Sequence, residues 1–187
     1  MADDWKLPWE GGCRCGQVRL RITAPPVITM ACHCAGCQKM SASAYSLTMM
    51  VPASGFEITV GEAVAGGLQQ TLDHRFCAFC KTWMFTRSDP TGQVVNLRPT
   101  TLDDHGWVEP FVECCVTEKL AWATTPARYS FDQFPGMEDR PKLVAEYAEH
   151  GARPKKAPRG TARASLRLLR RLLSMTKVGA IYKGSSS

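Results

Sequence analysis

The sequence predicts a mainly β domain with short helices and a basic helical tail. Three observations carry that prediction. Short apolar runs with strand-like alternation recur from Gln17 to Val116. Turns rich in Pro and Gly separate them. Seven of the nine cysteines fall into three tight clusters, a pattern suited to stapling short strands through metal.

Residues 17–23 (QVRLRIT) place Val18, Leu20 and Ile22 on one face and polar residues on the other, which describes a half-buried strand. Pro25 and Pro26 end it, because proline offers no N–H to a ladder. Residues 27–31 form a second short strand that delivers Cys32. Residues 38–42 follow Cys37 as a helical turn. Residues 45–51 (YSLTMMV) and 56–60 (FEITV) are strands joined by the Pro52-Ala53-Ser54-Gly55 turn. Gly66-Gly67 marks another turn, and residues 82–86, 94–97 and 111–116 complete the strands. Residues 142–150 (KLVAEYAEH) form a short helix after Pro141, closed by Gly151. Residues 151–160 have linker composition. Residues 165–174 set Leu166, Leu169, Leu172 and Leu173 against Arg167, Arg170 and Arg171, a basic amphipathic helix. The expected division is a β domain over residues 1–150 and a linker with a helical tail over residues 151–187.

A chain of 187 residues can bury a real core as one domain. The odd cysteine count, and an N-terminus (MADDWKLPWE) without a signal-peptide pattern, favour a reducing cytosol over a disulfide scaffold. No apolar run reaches the roughly 18 residues that a membrane span needs. The formal net charge of +6 is uneven: residues 151–187 hold ten Lys or Arg and no Asp or Glu. The first 150 residues hold 13 basic and 17 acidic side chains, a net of −4. Nucleic-acid binding by the body is therefore not expected. The tail has three readings: a solvated extension, a leucine face packed on the body or a partner, or an arm for an acidic partner or surface.

The clusters are Cys13-Arg14-Cys15, Cys32-His33-Cys34-Ala35-Gly36-Cys37 and Cys77-Ala78-Phe79-Cys80. Zn²⁺ takes soft thiolates in a tetrahedron, and two ligands from one turn share the cost of ordering it. The grouping is two, three and two. Two pairs make a closed four-thiolate site. A triplet leaves zinc a fourth position for chemistry, unless His33 or a distant side chain closes it.

The order C-x-C, C-H-C-x-x-C, F-C-x-x-C resembles the glutathione-dependent formaldehyde-activating (GFA) family, which includes the centromere protein V branch. Gly12-Cys13-Arg14-Cys15-Gly16-Gln17-Val18 resembles its opening motif, and Arg75-Phe76-Cys77-Ala78-Phe79-Cys80 with Phe85 its later half-site. Leu102-Asp103-Asp104 and Phe134-Pro135 also sit where the family has them. The resemblance covers roughly residues 11 to 135. It implies the β-tent fold shared with Rab exchange-factor-like proteins, a structural zinc on Cys13, Cys15, Cys77 and Cys80, and a catalytic zinc on Cys32, Cys34 and Cys37. It also implies a carbon–sulfur lyase reaction, in which glutathione adds to formaldehyde to give S-(hydroxymethyl)glutathione, or the reverse.

Zinc at the triplet can deprotonate a substrate thiol or polarise the aldehyde carbonyl. The anionic three-thiolate set mildly favours the first. The rival function is a non-catalytic zinc module that uses the basic tail to bind a partner. Three positions depart from the residues usual in the family: Gln38 for Arg, and Ala42 and Lys81 for Gly. None removes a zinc ligand. His33, between two ligands, is expected to turn away from the metal and support it by hydrogen bonding. Tyr45, Phe79, Trp83 and Phe85 flank the cysteines; they are assigned to the core, with a pocket wall as the lesser use, and Trp107 and Trp122 are assigned to the core as well. Cys114-Cys115 lies outside the clusters. Neighbours on a strand face opposite ways, so this pair is read as core filling.

Overall fold

The computed structural model describes residues 2–68, 72–88 and 91–155. The expected tail helix over residues 165–174 lies outside the described residues. The fold is mainly β with two α-helices and two open sheets. Strands β1 (Trp9–Gly12), β2 (Arg19–Ile22) and β5 (Phe56–Val60) form an antiparallel sheet in the order β1-β2-β5. The larger sheet contains β3 (Ile28–Cys32), β4 (Ser46–Pro52), β6 (Ala63–Ala65), β7 (Asp73–Cys77), β8 (Trp83–Arg87), β9 (Val94–Leu97), β10 (Val112–Cys114) and β11 (Tyr129–Phe131). Its order is β11-β10-β3-β4-β9-β8-β7-β6. All its pairings are antiparallel except those of β10, which runs parallel to both β3 and β11.

The alternation in β2 has the predicted consequence: Leu20 and Ile22 are fully buried while Arg19 and Arg21 stay half exposed. They join Met49, Val51, Met84 and Leu97 of the larger sheet in one shared core. Phe56 of β5 meets Phe85 of β8 with ring centroids 4.8 Å apart. Helix α1 (Ala35–Ser41) follows Cys34, and α2 (Arg140–His150) packs Leu143 and Tyr147 inward. Tyr147 contacts Phe111 and Trp5, and Trp5 leads into a cluster with Trp9 and Trp107. The packing continues past His150. Arg153 lies 3.5 Å over the Trp5 ring and donates to the carbonyls of Ala148 and Gly151, satisfying acceptors that the end of α2 leaves open.

Several elements differ from expectation. The predicted strand over residues 111–116 keeps only Val112–Cys114. Cys115 turns left-handed at φ 57°, and Val116–Glu118 wind into a 3₁₀ turn. Strands β1, β6, β7 and β11 were not predicted. β1 carries two glycines that hide its pattern. Gly11 is required there because a Cβ would sit 2.6 Å from the Thr101 carbonyl oxygen. Helix α1 starts before the predicted turn because Cys34 caps it: the Cys37 N–H donates to Cys34 Sγ at 3.4 Å.

Candidate metal centre and active site

The first cluster forms where β1 and β7 end. Cys13 and Cys15 lie in a turn closed by the Gly16 N–H on the Cys13 carbonyl, with Gly16 left-handed at φ 81°. Cys77 and Cys80 lie in a second turn, closed by the Lys81 N–H on the Cys77 carbonyl. The turns meet: Cys15 Sγ is 3.4 Å from Cys13 Sγ and 3.7 Å from Cys77 Sγ. All four sulfurs lie within 4.8 Å of one another. Burial pushes the Cys15 thiol up to about 12. Burial also opposes ionisation at Cys80, but hydrogen bonds from Thr82 and Cys15 together outweigh it and draw that thiol down to about 6. Four thiols this close resist joint ionisation, and a dication removes the obstacle, so the donor set fits zinc. The cluster joins the small sheet to the large one.

The second cluster is local. Cys32 ends β3, Cys34 caps α1 and Cys37 lies in its first turn. The three sulfurs lie within 4.8 Å of one another, with Cys32 buried and Cys34 and Cys37 part-exposed. The Cys114 thiol and burial push Cys32 up; Cys32 and burial push Cys37 up. Three convergent sulfurs, free of any protein oxygen or nitrogen in the set, also suit a soft cation.

His33 turns its Nε2 to Glu113 Oε2 at 3.1 Å and sets its ring edge against Tyr45. Its Nδ1 is buried without a partner among the described residues. Glu113 also accepts from Lys119, Thr125 and Ser130 at 2.7 to 2.8 Å. Burial opposes its ionisation, but Lys119, Ser130, Thr125 and His33 together hold the carboxyl down at about 2. This hub fixes the loop between Cys32 and Cys34 to β10. Gln38 braces the same region, donating from Nε2 to the carbonyls of His33 at 2.6 Å and Glu118 at 2.9 Å. Glu118 in turn accepts from the Ala35 N–H at 2.8 Å, at the start of α1.

A pocket of about 540 Å³ adjoins the triplet, lined in part by Ser41, Tyr45, Ser46, Lys81, Trp83 and Arg98. Ser46 reaches it from beside Cys37, whose thiolate its hydroxyl favours. Arg98 is buried, lies 4.1 Å over the Trp83 ring, and has no carboxylate in contact among the described residues. Burial lowers its guanidinium to about 10. A buried cation beside a pocket is a ready acceptor for an anionic group. Sequence reasoning missed Arg98 and Glu113, because a lone Arg or Glu carries no spacing signal.

The aromatic assignments divide. Phe85 is in the core, Tyr45 and Trp83 line the pocket, and Trp107 packs on Trp5 and Trp9. Phe79 and Trp122 are 71% and 74% exposed, so their assignment to the core is corrected. Phe79 sits on the tip of the Cys77–Cys80 turn. The reading of Cys114-Cys115 as opposed strand neighbours is also corrected. Cys115 has left the strand, and both sulfurs lie within 4.8 Å of Cys32 Sγ and of each other. Ala42 and Lys81, which stand where the resemblance expects Gly, are both left-handed, at φ 49° and 58°. The expected residue was a backbone requirement in each case.

No curated protein matches the chain. Among solved structures it is similar to a protein of Rhodobacter sphaeroides at 20% identity, covering 50% of this chain and 87% of that one with a TM-score of 0.40. Residues 8–118 match the sequence profile described as Glutathione-dependent formaldehyde-activating enzyme, a span that holds all three cysteine clusters. The chain therefore belongs to the family of glutathione-dependent formaldehyde-activating enzymes.

Proposed function

We propose that this protein is a zinc-dependent carbon–sulfur lyase that forms or cleaves a thiol–aldehyde adduct, of the S-(hydroxymethyl)glutathione synthase type, on a β-tent scaffold in the cytosol. The observation that carries this reading is the contrast in ligand number beside a pocket: three sulfurs at Cys32, Cys34 and Cys37, four at the other cluster. Cys13, Cys15, Cys77 and Cys80 hold a structural zinc. Cys32, Cys34 and Cys37 hold a second, which when bound supplies a place where a thiol ionises or a carbonyl is polarised. Glutathione carries two carboxylates, and Arg98 with Lys81 on the pocket wall anchors them. Ser46 sets a buried hydroxyl beside Cys37, where it favours that thiolate. Trp83 and Tyr45 shield the thiol-bearing end of the substrate from water.

The test is zinc content per chain with and without glutathione, followed by turnover of formaldehyde with glutathione. Two zincs, one perturbed by the thiol, support the proposal. One tightly held zinc, indifferent to thiols, overturns it in favour of a non-catalytic module. Arg98→Met sharpens the test. The KM for glutathione should rise about 10- to 100-fold, while a neutral thiol such as 2-mercaptoethanol should be little affected.

A further inference from the structure

Cys114 and Cys115 play no part in the proposed reaction. Strand β10 runs parallel to β3 with Cys114 level with Cys32. Cys115, just past the strand end, adopts the left-handed region at φ 57°, unfavourable for a side chain with a Cβ. That conformation brings its sulfur 3.9 Å from Cys32 Sγ. Cys114 Sγ also lies 3.4 Å from the Met30 thioether sulfur. Cys32, Cys114 and Cys115 are 6%, 0% and 3% exposed. Their sulfurs lie within 4.8 Å of one another, and so do those of the triplet, but the two sets share only Cys32. Neither the Cys114 nor the Cys115 sulfur lies within that distance of all three triplet sulfurs. They form a separate set.

We propose that Cys32, Cys114 and Cys115, with the Met30 thioether as a weaker donor, form a third thiolate site selective for a soft monovalent cation, copper(I), bridged to the triplet through Cys32. The donor set is sulfur alone, and thiolate with thioether is the combination that favours copper(I) over harder ions. Burial excludes the water that zinc would otherwise recruit as a fourth ligand. Binding releases one proton to solvent for each thiol that becomes a ligand and leaves the copper oxidation state unchanged. Buried Arg98, whose charge is felt at Cys32 and Cys37, offsets part of the negative charge.

The experiment adds copper(I), as its acetonitrile complex and without oxygen, to the zinc-loaded full chain. It then measures copper retained against bathocuproine disulfonate together with zinc released. The wild-type chain should retain one copper per chain and keep its zinc. A Cys114→Ala/Cys115→Ala variant should hold copper at least about tenfold more weakly, and Met30→Leu, which keeps every thiol, should weaken retention to a smaller degree. If the double variant fails to fold, Cys115→Ala replaces it, since that residue lies outside the strand. Equal retention in wild type and folded variant, or one zinc expelled for each copper bound in both, overturns the site. Copper retention is read without turnover, so its loss leaves the lyase proposal standing, and loss of turnover leaves the copper site standing.

Discussion

The two cysteine clusters marked by their spacing place the same donor atom in different structural settings. Cys13 and Cys15 stand more than sixty residues from Cys77 and Cys80, and the four sulfurs clamp two sheets together. Cys32, Cys34 and Cys37 come from one strand end and one helix start. Metal binding at the first closes a long loop and so contributes directly to folding; at the second it closes almost none. A short ligand loop braced from outside, by Gln38 and by the His33–Glu113 pair, can therefore give up its metal or exchange a ligand without unfolding the domain. In the proposed reading, the number of sheets a thiolate set joins, and not the thiolates themselves, separates a structural centre from one free to react.

The largest expected effect is at the clamp. Cys77→Ser should cost on the order of 5 kcal/mol or more, seen as loss of cooperative thermal unfolding and of one zinc. Cys34→Ser should leave the fold nearly intact, because serine caps a helix start at least as well as cysteine, while abolishing glutathione-dependent turnover. Equal loss of folded protein in both variants breaks the contrast.

Next comes the brace. Glu113→Gln removes the charge that Lys119 and three further donors satisfy and should cost about 2–4 kcal/mol in a denaturant titration. A cost near zero would show that the triplet loop holds itself. The smallest effects are gains. Ala42→Gly and Lys81→Gly each relieve a left-handed residue and should stabilise by about 0.5–1 kcal/mol, read as a raised unfolding midpoint. Ala42 ends the triplet's helix and Lys81 follows the clamp. If the clamp is the global fastener, Lys81→Gly alone should also slow zinc loss to a chelator. Equal zinc-loss rates in the two variants would blur the distinction.

Much of this centre was legible in the chain. Ligand spacing within a turn is a covalent property, so C-x-C, C-H-C-x-x-C and C-x-x-C announce thiolate sets before any fold is known. The alternation of Val18, Leu20 and Ile22 likewise fixed a buried face for β2, and residues 94–97 were a strand in sequence and structure alike. Short or glycine-bearing strands escaped because three or four residues hold too little pattern: β1 has two glycines, and β6 and β11 have three residues each.

What the sequence by itself determined was a mainly β chain, the membership of each cysteine in its local cluster, and the family. What only the tertiary structure decided was which distant groups meet them. Parallel pairing of β10 with β3 sets Cys114 beside Cys32, and it carries Glu113 to His33 across 80 residues of chain. A left-handed backbone at Cys115, which no side-chain pattern encodes, turns two strand neighbours onto one sulfur. Arg98 gains its place in the pocket wall from the crossing of β9 beside β4 and β8. Local spacing is written in covalent bonds; strand order is settled by the burial of whole sheets, which no short window of sequence contains.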